Sequence, residues 1–195
     1  MYNIRPFLFR AALLGLVVSV MTVSGHAADI DVTAFAGIHR QGKLTLRSAP
    51  STAENLFRTI NSTTFGAFGL RIGHGRVFGG EHSIAYSSSF IDSDTTAFIY
   101  NSNLLAQVPL PKVKPYATAG LGLIRTSGDS LGVFGTKFAI NYGGGIKFLP
   151  AGPVGLRADV RGYSVPSVEF RVFTTEKQRV DFLEASIGVL FSFGK

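Results

Sequence analysis

Beyond residue 29, apolar and polar residues alternate with a period of two over one stretch after another. Residues 30–40 put Ile30, Val32, Ala34, Ala36 and Ile38 on one face, with Asp31, Thr33 and His39 on the other. Residues 63–74 set Phe68, Leu70 and Ile72 against Arg71, and residues 80–91 set Ile84, Tyr86 and Phe90 against Glu81, Ser83, Ser87 and Ser89. Residues 96–108, 115–126, 136–148, 154–163 and 180–193 repeat the arrangement. A period of two is the mark of a strand with unlike faces. The chain therefore reads as all-β with eight strands, most of them longer than the usual strand of about 5–6 residues. Tilted strands of about 9–11 residues are what a bilayer requires.

The connections alternate too. Those near 75–79, 109–114 and 149–153 are short and rich in glycine or proline, the residues that break regular structure. Residues 41–62, 127–135 and 164–179 form longer connections, while 92–95 is short. Short turns on one rim and longer loops on the other predict an eight-stranded antiparallel up-and-down transmembrane β-barrel, with both ends of the strand series on the short-turn side.

The direction of the apolar face separates this reading from a soluble, lipocalin-like barrel, whose apolar face points inward. The polar faces here are mostly Gly, Ser, Thr and Asn, too small and uncharged for a water-facing exterior. Their few charges nearly balance: Arg71, Lys147, Arg157 and Arg161 against Glu81, Asp159 and Glu184. Such a set suits ion pairing inside a narrow lumen. Arg157, Asp159 and Arg161 share one face, and Glu184 and Lys147 on the flanking strands are expected to complete a lumenal charge network. Phe90, Phe98, Tyr116, Phe148, Phe191 and Phe193 sit toward strand ends, where an aromatic girdle is expected. An interior of eight strands is just wide enough to be filled by side chains, which argues against a diffusion pore.

Composition fits a lipid-facing exterior. Of 195 residues, 46% are hydrophobic and only 16% charged, against about 25% charged in an average soluble domain. Such a chain is too apolar for disorder. The absence of cysteine excludes a disulfide scaffold and Cys-ligated metal sites, and no cofactor is expected. The formal charge of +7 shrinks once the first residues are read as a leader. Arg5 and Arg10 precede an apolar run, Ala11–Val23, and then the small residues around Ala27 and Ala28. This is the pattern of a secretory signal over residues 1–28, cleaved after Ala27 or Ala28, with residues 29–195 forming the barrel domain. Export removes nucleic acid from the expected partners.

Three stretches resemble a known family. They are Lys114-Pro115-Tyr116-Ala117-Thr118-Ala119-Gly120-Leu121-Gly122, Asn141-Tyr142-Gly143-Gly144-Gly145-Ile146-Lys147 and Gly155-Leu156-Arg157-Ala158-Asp159-Val160-Arg161. They are similar to the outer-membrane β-barrel domain family, which includes opacity-type and outer-membrane-protein-A-like eight-stranded barrels. The resemblance implies the outer membrane as the location, with outer-membrane lipid and lipopolysaccharide as surroundings. It also implies that the barrel assembly machinery reads a terminal aromatic, here Phe191 or Phe193. The family pattern ends on that aromatic, whereas Gly194-Lys195 follows here.

Candidate chemistry is sparse. His74 and His82 flank the first short turn without a carboxylate or cysteine to complete a metal site. His39 and the run Ser87-Ser88-Ser89 lie toward the loop rim, and a Ser–His pair there would suit a lipid A deacylase. The deacylase family, however, carries a His-x-Ser element in its penultimate strand, where this chain reads Gly162-Tyr163-Ser164. The general base is missing, and no catalytic residue is assigned. Residues 41–62 and 164–179 carry a net positive charge. They are the expected contact with lipopolysaccharide phosphates, or with a host or surface ligand.

Overall fold

A computed structural model describes residues 29–42, 44–47, 57–60, 64–129, 133–168 and 178–194. The signal segment 1–28 lies outside the described residues. Eight strands close into a barrel: β1 (Ile30–Gln41), β4 (Thr64–Gly75), β5 (Phe78–Ser87), β6 (Thr95–Gln107), β7 (Val113–Gly128), β8 (Thr136–Ala151), β9 (Val154–Val168) and β10 (Gln178–Phe193). Every neighbouring pair is antiparallel, and β10 returns to β1 with Phe193 opposite Ile30. A separate hairpin of β2 (Leu44–Arg47) and β3 (Phe57–Ile60) lies inside the first long connection, where sequence alternation predicts only loop.

The register fixes the shape. Following hydrogen-bonded partners from Ile30 leads through His74, Gly80, Leu104, Ala119, Tyr142, Gly162 and Leu183 to Arg40. One circuit thus climbs ten residues along β1. A stagger of this kind tilts the strands, by about 35–45° in closed barrels.

The apolar face points outward. Leu104 is 78% exposed and Ile187 72%, with Phe68, Ile72, Leu121, Ile146, Leu156 and Val160 also on the outer wall. Buried within are Arg71, Glu81, Asn101, Lys147, Arg157, Asp159, Arg161 and Glu184. This inversion is the arrangement of a transmembrane barrel, in which lipid covers what water would cover in a soluble one.

Two of the expected girdle aromatics are lumenal instead. Tyr116 is buried among polar groups because it shares its face with Thr118 and Thr126, one residue out of step with Ala117 and Leu121. Phe90 lies beyond β5, which ends at Ser87, in a connection spanning 88–94 that turns inward. Phe98, Phe148, Phe191 and Phe193 do face outward.

Candidate functional site

The candidate site is the lumen, which is built in tiers. Nearest the short-turn end, Lys147 on β8 donates to Asp31 on β1 at 2.6 Å and to Gln107 on β6 at 2.8 Å. The Gln107 amide in turn donates to the carbonyls of Gly75 and Arg76 in the first short turn, at 2.7 and 3.0 Å. This tier ties one barrel rim together.

Above it, three arginines interlock with three carboxylates. Asp159 accepts from Arg157 Nε and Nη2, both at 3.0 Å, from Arg161 at 2.9 Å, from Arg71 at 3.2 Å and from the Tyr116 hydroxyl. Glu81 pairs with Arg157 at 2.6 Å and Arg161 at 2.7 Å. Glu184 takes Arg71, and Arg71 also donates to Ser186 at 3.1 Å. Arg71 stacks its guanidinium 3.6 Å from the Phe35 ring centroid. All six ionic side chains are almost wholly buried. Opposite charges in equal number neutralise one another where solvent cannot reach, and removing any member leaves a buried charge uncompensated.

The structure therefore brings Arg157, Asp159, Arg161 and Glu184 into one cluster, with Arg71 bridging Asp159 to Glu184, and places Lys147 in the tier below, paired with Asp31. Arg71 and Glu81 belong to the cluster as fully as the residues singled out from β9. Asp31 and Tyr116 are further members that strand spacing does not reveal, because their partners lie across the lumen on strands distant in sequence. The available signal was that Asp31 is the sole acid on the polar face of β1.

The next tier is uncharged. Asn141 donates to Asn101 at 3.2 Å, and Asn101 donates to Ser83 at 3.2 Å. Glycines make room for these side chains. Asn101 and Asn103 lie where Gly122 and Gly120 would carry a Cβ, and the Tyr116 ring lies where Gly145 would.

At the loop end the lumen becomes apolar. Phe65, Phe90, Ile91, Ile99, Ile124, Val165, Val180 and Phe182 are buried there, with Tyr163 and Phe182 stacked at 4.6 Å. His39 stands at the boundary, its Nε2 3.0 Å from Glu184 and its ring 5.3 Å from Phe182.

Residues weighed for catalysis do not assemble. His39 meets Glu184, while Ser87 donates to the Gly66 carbonyl at 2.8 Å. Gly162 faces the lipid beneath the Tyr142 ring, which approaches to 3.1 Å of where a Cβ would be. A histidine there would displace that ring. His74 packs over Gly80, while His82 lies on the outer wall with Nδ1 3.0 Å from the Tyr100 hydroxyl and the two rings nearly parallel. Phe191 and Phe193 sit on the outer wall opposite Val32 and Ile30. The segments 41–62 and 164–179 lie largely outside the described residues.

A family model described as the outer membrane protein beta-barrel domain matches residues 12–193. Among solved structures, Neisserial surface protein A is similar at 19% identity and a TM-score of 0.61, over 84% of this chain and 97% of that one. The N-terminal β-barrel domain of Pseudomonas aeruginosa OprF is 16% identical with a TM-score of 0.55, over 87% of this chain and 100% of the other. The outer membrane protein OprG of the same organism is 12% identical with a TM-score of 0.55, over 88% and 99%. No curated protein matches the sequence.

Proposed function

We infer the role of this chain from its family as a premise: it belongs to the outer membrane protein beta-barrel domain family, whose location is the cell outer membrane. We propose that it is a structural and surface-interacting barrel, not a diffusion pore and not an enzyme. The observation that carries this reading is the doubly closed lumen, an ionic tier of Arg71, Glu81, Arg157, Asp159, Arg161 and Glu184 beneath an apolar cap around Phe90 and Phe182. A solute would have to break buried ion pairs and displace packed aromatic side chains to pass.

Contact with the surroundings then falls to the outer wall and the loops. The basic segments 41–62 and 164–179 suit lipopolysaccharide phosphates or an acidic ligand on another surface. Export follows a signal at 1–28, and Phe191 and Phe193 serve as the aromatic end read by the barrel assembly machinery. The deciding experiment reconstitutes the mature protein in planar bilayers and, in parallel, assays lipid A deacylation. The reading expects no stable large conductance and intact lipid A. A sustained pore-sized current, or released acyl chains, overturns it.

A further inference from the structure

The cap at the loop end is not made by the barrel wall alone. Phe90 and Ile91 reach it from the connection between β5 and β6, and they are 0% and 1% exposed. Ile91 holds φ at 73°. That left-handed conformation is an outlier for a β-branched residue. Such strain persists only where the surrounding packing imposes it. The connection is pinned by Phe90 N–H donating to the Thr95 carbonyl at 2.6 Å and by Asp94 N–H donating to the Asp92 carboxylate at 3.1 Å. Phe90 meets Phe182 edge-on at 5.1 Å and His39 at 6.2 Å.

Around Phe182, the ring that Phe90 meets, are buried polar atoms left without hydrogen-bond partners among the described residues. They are both amide atoms of Gln41, on the last residue of β1 and opposite Phe182, and Nδ1 of His39. Buried polar groups are normally paired. Here an apolar plug under backbone strain sits next to an unused donor and acceptor pair.

We propose that Phe90 and Ile91 occupy a ligand site as its internal plug. The site takes, from the exterior, a small neutral amphiphile with an apolar body the size of those two side chains and one hydroxyl or amide group. The body replaces Phe90 and Ile91 against Phe65, Phe182 and Val180, and the polar group bonds Gln41 and His39. The Glu184 carboxylate behind His39 disfavours an anion. The floor of ion pairs makes this a dead end, so the molecule is held and not passed. The proposal rests on the closed-lumen reading.

The chain has no tryptophan, so Phe90→Trp places a single reporter on the plug. The test uses the mature protein in lipid nanodiscs, with folding checked by heat-modifiable gel mobility. The probe is 4-butylphenol, compared with butylbenzene and 4-butylbenzoate. The expected result is a saturable red shift and greater acrylamide quenching with 4-butylphenol only. The midpoint should rise about fivefold to tenfold in the added Gln41→Leu background, the value of roughly one net hydrogen bond. Gln41→Asn, which keeps the amide, should lose less. No saturable shift, or an equal response to butylbenzene that ignores Gln41, overturns the proposal. Either result leaves bilayer conductance, and hence the closed-lumen reading, to be judged separately.

Discussion

Lys147 Nζ and Asp31 Oδ2 lie 2.6 Å apart across the lumen, joining β8 to β1, two strands that are not neighbours in the sheet. Both are almost fully buried, at 0% and 4% of the side chain. Breaking a buried pair by removing one partner costs about 3–5 kcal/mol, whereas replacing both with apolar groups is often neutral. Asp31→Ala and Lys147→Met should therefore each destabilise the barrel by about that amount. The double variant should recover most of the loss. Urea unfolding in lipid bilayers, analysed as a double-mutant cycle, checks this; additive losses would show the two residues to be uncoupled.

Asp159 accepts from all three lumenal arginines of the ionic tier, Arg71, Arg157 and Arg161, and from Tyr116. Asp159→Ala leaves three arginines facing two carboxylates in a space closed to water. The expected loss is at least about 3 kcal/mol. The temperature at which the folded band converts to the unfolded band on a gel should fall clearly. An unchanged temperature would remove the network from the stability of this protein.

The Tyr116 ring and Gly145 form a pair in which one residue supplies bulk and the other supplies space. A Cβ at 145 would stand 2.0 Å from the Ala158 carbonyl oxygen, 2.5 Å from the Tyr116 hydroxyl oxygen and 2.9 Å from its Cζ. Gly145→Ala should therefore cost about 1–3 kcal/mol, the usual penalty for overpacking. In a Tyr116→Phe background the penalty should shrink only in part, because the hydroxyl contact goes while the clash with the Ala158 carbonyl stays. Chemical denaturation of the four proteins measures the difference.

The outer wall offers a test of what surrounds it. Leu121 is 54% exposed on the outer wall and sits at the middle of β7. Leu121→Arg should cost about 2–4 kcal/mol in a bilayer, the penalty for a charge near the midplane of a barrel's lipid face. In a soluble barrel the same change at a water-facing position would be close to neutral. Unfolding of the variant in bilayers of known thickness distinguishes the two.

The existence, number and facing of the eight barrel strands were legible in the sequence because a side chain's parity along a strand decides its face, whereas the short β2–β3 hairpin was not. Parity also explains the errors. Tyr116 looked like an interfacial aromatic by residue type, but its step in β7 is that of Thr118, which points inward. Phe90 looked like the end of a strand, yet it belongs to a connection that folds back into the mouth. Apolar Ile99, Ile124 and Leu190 lie inside despite the rule that the lumen is polar. Their facing follows from register; Ile99 and Ile124 are tolerated in one buried cluster with the plug residues Phe90 and Ile91, whereas Leu190 lies toward the other rim, opposite Thr33. The pairing of Lys147 with Asp31 was not legible, since it depends on the stagger of the closed sheet. No sequence interval encodes that stagger locally.

The sheet closes between β1 and β10, the two ends of the strand series. The partner of Ile30 on one side is Phe193, so the first strand made during synthesis waits for the last before its second edge is covered. Until then two open edges, on β1 and β9, are available to any passing chain. A polypeptide that lacks β10 leaves both of those edges unpaired, and the barrel open.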